Sequence, residues 1–125
     1  MTTLPSRLWA DLLGKPFRED ARGPDAYDCV GLLLEIERRL GHTLPPIASD
    51  TQVLPAIVPL FDRVDEPRPG DAILIESCNP DWHIGIVTGP GWMIHAHVGC
   101  GVARERYDAF PWHKRIEGFY RWRAA

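Results

Sequence analysis

The chain has 125 residues, of which 45% are hydrophobic and 25% charged, the proportions of an ordinary globular protein. We expect a single domain over residues 1–125, because one hydrophobic core still serves a chain of this length. The net charge of −3 argues against a general nucleic-acid binder, and no apolar run approaches the roughly 20 residues that cross a bilayer.

The first residues, MTTLPSRLWADLLGKPF, lack the charged, apolar and small-residue regions of a signal peptide, so export by that route is not expected. Residues 5–13 predict a short helix that ends at Gly14, because their apolar side chains recur on one face. Residues 15–27 are rich in charge, glycine and proline, which is typical of a loop.

A clearer helix is predicted in AYDCVGLLLEIERRLG, residues 26–41, with Asp28 as its N-cap and Gly41 at its C-terminal end. Cys29 would lie in the first turn, where unpaired N–H groups and the helix dipole favour an anion. Because the thiolate is the nucleophilic form of cysteine, this position predicts a reactive thiol. The alternative is a buried, inert cysteine that fills space beside Val30.

Residues 42–69 carry six prolines and predict at most a short helix near residues 50–54. RPGD, residues 68–71, has proline and glycine at the central positions of a type II turn. Beyond this turn the apolar period predicts strands, with a hairpin at Gly-Pro-Gly between the second and third. Helices first and strands after them predict an α+β domain with N-terminal helices packed on a central antiparallel sheet. The predicted strands cover residues 72–76, 83–88, 92–98, 102–106 and 118–123.

Histidine most often supplies the base that a nucleophilic cysteine needs. Two of the five histidines lie in loop-like segments, whereas His83 begins one predicted strand and His95 lies in the next, on the same face as His97. We expect these imidazoles to face the N terminus of the helix, which lies across their sheet. Half-buried strand histidines without a catalytic role are one alternative. A metal site of His95 and His97 with Cys100 or His83 is another, which the absence of CxxC and HExxH motifs disfavours.

The ordered motifs YDCVGL, RPGD and HIGIVTGPGWMIHA resemble the NlpC/P60 cysteine peptidases, a compact papain-like family. In that family an Asp-Cys-x-Gly-Leu helix start precedes Pro-Gly-Asp and His-x-Gly-Ile, and a second histidine follows the first by twelve residues. The resemblance implies that Cys29 is the nucleophile, His83 the general base and His95 the group that orients it. The implied reaction is hydrolysis of an amide in a peptidoglycan stem peptide through an acyl-enzyme, without a metal or cofactor.

Two positions depart from the family pattern. Phe17 stands twelve residues before Cys29, where the family often has a tyrosine, and Val30 stands where serine is common. Losing one transition-state donor lowers a rate roughly a hundredfold or more, so we expect either reduced activity or support from another donor. Cys78 and Cys100 are interpreted as bystanders. The residues expected to contact the substrate are Phe17, Tyr27, Asp28, Trp82 and His97.

The segments GKPFREDARGPDAYDCVGL and RRLGHTLPP resemble the phage-tail branch of the family. This implies a protein made in the bacterial cytoplasm and placed in a phage or phage-like tail, with tail proteins as partners. A tail-tip assembly module with little or no hydrolase activity is the alternative that Phe17 and the aromatic, basic end GFYRWR suggest. Acyl transfer or amidase chemistry on another amide is a third.

Overall fold

The structure is a computed structural model that describes residues 2–47, 59–77 and 82–123. The strands form a six-stranded antiparallel sheet in the order β1-β6-β2-β3-β4-β5, which confirms the predicted α+β class. None of the helices in the described ranges is long and apolar enough to cross a membrane. The elements are two 3-10 turns at Ser6–Leu8 and Ala10–Leu12, helix α1 at Cys29–Arg39, and strands β1 Phe61–Val64, β2 Ala72–Glu76, β3 Trp82–Gly89, β4 Trp92–His97, β5 Gly101–Arg106 and β6 Ile116–Trp122.

Both ends of α1 are set by the residues that the sequence indicated. The carboxylate of Asp28 accepts a hydrogen bond from the backbone N–H of Gly31 at 2.6 Å, as an N-cap does. At the other end Gly41 has a φ of +86°, and its N–H donates to the carbonyl oxygen of Arg38 at 3.0 Å. The predicted cap and terminating glycine are confirmed.

The predicted helix over residues 5–13 is wrong, because this segment forms two separate 3-10 turns. Trp9 lies between them with a φ of −149°, which interrupts any continuous helix. Its indole N–H donates to the carbonyl oxygen of Leu4 at 3.0 Å. A segment this short gains too few hydrogen bonds to offset helix nucleation, so local contacts decide its conformation.

The turn before β2 has the predicted form. The N–H of Asp71 donates to the carbonyl oxygen of Arg68 at 3.0 Å, and Gly70 has a φ of +94°. The carboxylate of Asp71 also accepts from the guanidinium of Arg121 in β6 at 2.8 Å. The turn is therefore tied to the strand that pairs with β2, and it fixes where the sheet begins.

Strand β1 lies in the proline-rich region where the sequence predicted no strand. Only Phe61 of its four residues is buried, so β1 lacks the apolar alternation that would reveal a strand. It lies at the edge of the sheet and pairs with β6, placing Phe61 opposite Trp122. The predicted helix near residues 50–54 and Cys78 lie outside the described residues.

The two faces of the sheet carry separate apolar clusters. One face packs against α1, and its central residues are fully buried beneath the helix. The other face is covered by the segment between β5 and β6, which contributes Tyr107 and Trp112. Successive strand residues alternate between these faces. Ile84, Ile86, Ile94 and Ala96 belong to the helix face, and Ile73, Ile75, Val87 and Met93 to the other.

Candidate active site

Cys29 is the first residue of α1, and only 3% of its surface is exposed. Its Sγ lies 4.0 Å from the carbonyl oxygen of Trp82, the residue before His83 in β3. The start of the helix is thus held at the beginning of the strand that carries the first predicted histidine. A helix N terminus favours the thiolate over the thiol, so this position suits a nucleophile.

Asp28 holds the loop before α1 against the helix. The residue is 4% exposed, and its carboxylate accepts hydrogen bonds from the N–H of Asp20 at 3.1 Å and from the guanidinium of Arg22 at 2.7 Å. Together with the cap to Gly31, these bonds place the carboxylate inside the protein. The cap defines where the helix begins and thereby fixes the position of Cys29.

Gly31 allows the same loop to approach α1 closely. A Cβ at this position would overlap the carbonyl oxygen of Ala21, a backbone atom that cannot turn aside. The N–H of Asp28 donates to that carbonyl at 3.0 Å, so the loop and the helix start share this contact. The glycine two residues after the cysteine is therefore required by packing around the candidate nucleophile.

His83 and His95 form a buried pair on the hairpin of β3 and β4. His83 is 7% exposed and His95 is fully buried, and the Nε2 of His83 lies 2.7 Å from the Nδ1 of His95. Gly85 is opposite His95 in the ladder, which confirms the predicted hairpin. The two imidazoles are joined by one hydrogen bond, as a base and its orienting group are.

Glu105 extends this pair, although it was not predicted from the sequence. Its Oε2 lies 2.5 Å from the Nε2 of His95, and its side chain is 40% exposed. Glu105 lies in β5 directly opposite Met93, on the face that carries His95. Period-2 counting continued from β4 into the next predicted strand could have found it.

Trp112 covers the imidazoles and was also not predicted. Its ring stacks on that of His83 with centroids 5.4 Å apart, and its plane meets those of His95 and His97 nearly at right angles. Trp112 is 6% exposed although its segment was interpreted as a loop. His97, predicted to contact the substrate, is half-buried with its ring 5.4 Å from that of His83.

Burial dominates the electrostatics of the pair. It lowers the pKa of His83 well below its usual range, and the neighbouring His95 and His97 lower it further. Burial also lowers the pKa of His95, although Glu105 acts in the opposite direction by stabilising the imidazolium. Both rings are therefore neutral near pH 7, the form in which an imidazole can accept a proton.

The imidazoles and the body of α1 lie on opposite faces of the sheet. That the imidazoles face the N terminus of the helix stays a prediction. Helix α1 packs on the face formed by Ile84, Ile86 and Ile94, whereas the histidines lie on the opposite face with Trp112. The apolar side of the helix must cover the apolar face of the sheet. Because successive strand residues alternate between faces, the histidines lie on the face away from the helix. The thiol approaches β3 at the start of that strand, beside the carbonyl of Trp82.

The remaining predicted substrate residues lie at different depths. Phe17 and Trp82 are half-buried at the border of the core, and a backbone bridge joins Phe17 to Tyr27. Tyr27 is 3% exposed and lines a pocket of about 420 Å³ together with Glu35 and Arg39. Burial raises the pKa of the Tyr27 phenol. Tyr27 belongs to the apolar cluster on the helix face of the sheet, whereas Trp112, which stacks on His83, belongs to the cluster on the other face.

Cys100 lies in the turn between β4 and β5 and is exposed, with its Sγ 3.7 Å from the carbonyl oxygen of His97. Partial burial of its thiol and the nearby Glu105 raise the pKa of Cys100, which disfavours its thiolate. Across the described part of the chain, no group of three or more histidine, cysteine or acidic side chains is arranged to hold a metal ion.

Comparison with known sequences gives a consistent match. The model of the NlpC/P60 family matches residues 14–121. The probable endopeptidase p60 of Listeria grayi is 28% identical over 124 residues, which cover 93% of this chain and 22% of that protein. The p60 of Listeria seeligeri is 30% identical over 114 residues, covering 87% and 20%. The chain thus spans about a fifth of the length of these curated relatives.

Solved structures share the same fold. An NLP/P60-family protein from Staphylococcus aureus, described as similar to a lipoprotein, superposes with a TM-score of 0.77 at 19% identity, over 95% of this chain and 40% of that one. The NlpC/p60 domain of the peptidoglycan hydrolase SagA gives a TM-score of 0.68 at 19% identity, over 92% of both chains. At these identities the likeness concerns the fold.

Proposed function

The chain belongs to the NlpC/P60 family, and from this premise we propose that it is a cysteine peptidase that hydrolyses an amide bond in peptidoglycan stem peptides. Cys29 is the proposed nucleophile, His83 the general base and His95 the group that orients His83. The observation that carries the proposal is the position of Cys29. It lies at the start of α1 and beside the first residue of β3, the strand that carries His83 of the buried His83–His95 pair.

The proposed reaction has two stages. His83 accepts the thiol proton, and the Sγ of Cys29 attacks the carbonyl carbon of the substrate amide. The backbone N–H of Cys29 is the proposed donor to the oxyanion. His83 then gives its proton to the leaving amine as the C–N bond breaks, and an acyl-enzyme remains. Water attacks this thioester with His83 again acting as base, which releases the carboxylic acid and restores the thiol.

The names of similar proteins support this substrate class. The Listeria relatives are called probable endopeptidases, and the SagA domain comes from a peptidoglycan hydrolase. Phe17 supplies no hydroxyl at the position where the family often has tyrosine, so the proposed activity is low unless another donor replaces it.

Digestion of purified muropeptides, followed by mass spectrometry, tests the proposal. The wild-type chain should cut a stem peptide at one amide, whereas Cys29→Ala and His83→Ala should abolish cleavage. Cys100→Ala is the matched control, because this exposed thiol lies outside the proposed site. The proposal would be contradicted if the folded wild-type protein cut none of a set of stem peptides of differing composition. Full activity of Cys29→Ala would contradict it as well.

Active-site labelling gives a second check that needs no substrate. Iodoacetamide at pH 6–7 should modify Cys29 faster than Cys100, because the N terminus of α1 favours the Cys29 thiolate whereas the pKa of Cys100 is raised. Peptide mass spectrometry measures both rates in the same sample. Equal slow labelling of the two cysteines would argue against an activated nucleophile.

We also propose that the chain acts within a phage or phage-like tail. The similarity of its GKPFREDARGPDAYDCVGL and RRLGHTLPP segments to the tail branch supports this setting. An assembly role without catalysis is the alternative, and the two roles differ in their need for Cys29. Particles carrying Cys29→Ala should assemble normally yet lose stem-peptide cleavage. Absence of the protein from purified particles would contradict the tail setting.

A further inference from the structure

We propose that Glu105 is a positioning residue that sets the direction of the hydrogen bonds through His95 to His83. This role rests on the proposed thiol chemistry, because it concerns which nitrogen of His83 is left as the base. It follows from a continuous arrangement in which Glu105 contacts the Nε2 of His95, and the Nδ1 of His95 contacts the Nε2 of His83.

The chemistry of the carboxylate determines the first step. An ionised carboxylate only accepts hydrogen bonds, so the Nε2 of His95 must carry the proton that it donates to Glu105. A neutral imidazole has one N–H, which leaves the Nδ1 of His95 as an acceptor. His95 therefore has one defined tautomer while Glu105 is in contact.

The second step transfers this direction to His83. Because the Nδ1 of His95 accepts, the Nε2 of His83 must donate across the 2.7 Å contact. Neutral His83 then has its unprotonated nitrogen at Nδ1, which is the atom left to receive the thiol proton. When Nδ1 becomes protonated, the bond from the Nε2 of His83 to His95 keeps the same direction, so no rearrangement is needed.

Without the carboxylate the opposite direction becomes available. The Nδ1 of His95 could then carry the proton and donate to the Nε2 of His83. Neutral His83 would be protonated at Nδ1 and could not act as the base toward the thiol. A choice between two tautomers is therefore imposed from β5, two strands away from the one that carries His83.

The fold places Glu105 suitably for this role. It lies opposite Met93 in the β4–β5 ladder, diagonal to His95, which is opposite Ala103. Diagonal neighbours on one face of a sheet are within reach of a long side chain. Glu105 is 40% exposed whereas His95 is fully buried, so the carboxylate connects an enclosed imidazole to the surface of the protein.

The other groups near the pair meet it through their rings. His97 lies 5.4 Å from His83 and 5.8 Å from His95 between ring centroids, and Trp112 stacks on His83. Such contacts hold the rings in place, but they select neither nitrogen as a donor. Selection of the tautomer is thus assigned to the carboxylate.

NMR of the intact chain tests the assignment directly. Long-range ¹H–¹⁵N correlation spectra at neutral pH distinguish protonated from unprotonated ring nitrogens, and single His→Gln variants assign the signals. Wild type should carry protons on the Nε2 of both His83 and His95. Glu105→Leu should show Nδ1 protonation in a substantial fraction of molecules. Protonation of His95 at Nδ1 in wild type, or unchanged tautomers in Glu105→Leu, would overturn the proposal.

The rate at which Cys29 is alkylated provides a functional test of the role of Glu105. Cys29 in Glu105→Leu should be alkylated about 10- to 100-fold more slowly than in wild type, the scale of loss known for histidines at metal sites that lose their hydrogen-bond partner. Glu105→Gln should recover most of this rate, because its amide oxygen can accept the same bond. A Gln variant as slow as the Leu variant would overturn the acceptor role.

Asp108→Asn is the matched control, because this exposed carboxylate pairs with Arg106 and its substitution removes the same charge nearby. It should leave both the tautomers and the alkylation rate unchanged, and an equal loss in this variant would instead indicate a general charge effect and overturn the proposal. These readouts need no peptide substrate. Failure to cut muropeptides would defeat the proposed function, while the tautomers would still decide the role of Glu105.

Discussion

The residues next to Cys29 fix its position through hydrogen bonds and close packing. Asp28 caps the helix and binds the preceding loop through Arg22, while Gly31 leaves room for the carbonyl of Ala21. Packing and capping thus account for Asp28 and Gly31 in the Asp-Cys-x-Gly pattern. This is why the motif was readable from the sequence, since each of its requirements is local.

At the residue scale, we expect Gly31→Ala to destabilise the fold strongly. The added Cβ would overlap the carbonyl oxygen of Ala21, so the loop or the helix must shift. We expect a loss of about 1–3 kcal/mol in the free energy of unfolding, the usual cost of overpacking. Urea titration followed by circular dichroism measures it.

Gly99→Ala is a useful comparison for that experiment. Gly99 has a φ of +91°, and no atom of the described residues lies within 4 Å of the place that a Cβ would occupy, so its substitution reports backbone strain without a clash. It should cost about 1 kcal/mol. A Gly31→Ala protein as stable as wild type would show that the close approach at the helix start is not required.

At the scale of elements, the β3–β4 hairpin buries two titratable rings that would be charged in acid. The folded-state pKa values of His83 and His95 are lowered, chiefly by burial, so the unfolded chain binds more protons below about pH 6.5. The free energy of unfolding contributed by these groups is therefore fully present above that pH and falls as the pH is lowered.

Urea unfolding at pH 7.5 and pH 5.5 should show this loss in wild type. His95→Asn should show a smaller difference between the two conditions, because one of the buried rings is gone. The raised pKa of Glu37 acts with the opposite sign, but it is common to both proteins and cancels in the comparison. An identical pH dependence in the variant would contradict the assignment to the histidine pair.

The segment between β5 and β6 covers the second face of the sheet through Trp112. Trp112→Ala should lower the free energy of unfolding by about 3–5 kcal/mol, as for other buried aromatic truncations. It should also admit water to His83 and raise its pKa toward the usual range, because desolvation is the largest cause of the lowering.

Trp112→Phe is the matched variant, because it keeps an aromatic ring over the imidazoles. It should retain more of the stability and a lowered pKa for His83, which NMR titration of the ring protons measures. If both variants leave the titration of His83 unchanged, Trp112 is not the group that excludes water from it.

At the scale of the whole molecule, β6 holds the sheet together. It pairs with β1 on one side and with β2 on the other, although it is the last strand in the chain. The aromatic, basic end GFYRWR, which was predicted to form a strand, thus lies largely within β6. Its aromatic residues contribute to the packing on both faces.

Truncation after Arg115 should consequently prevent folding. The change removes a strand flanked on both sides, leaving β1 unpaired and the edge of β2 exposed. We expect loss of the near-ultraviolet circular dichroism and of cooperative urea unfolding relative to the full chain. A truncated protein that unfolds cooperatively would show that β6 is dispensable.

The sequence by itself determined the features that depend on neighbouring residues. The N-cap at Asp28, the glycine after α1, the RPGD turn and the β3–β4 hairpin all follow from capping, turn chemistry and period-2 alternation. Together with the resemblance to a family, they were enough for the α+β class and for the Cys29, His83 and His95 proposal.

Only the tertiary structure decided how the elements meet. Helix α1 lies on the face away from the histidines, Glu105 contacts His95, Trp112 covers the imidazoles, and β1 pairs with β6. Each of these contacts joins segments that are distant in the chain or in different elements. Such contacts depend on strand register and on which face must be buried. Both are set by the packing of the whole molecule, and no short stretch of sequence contains them.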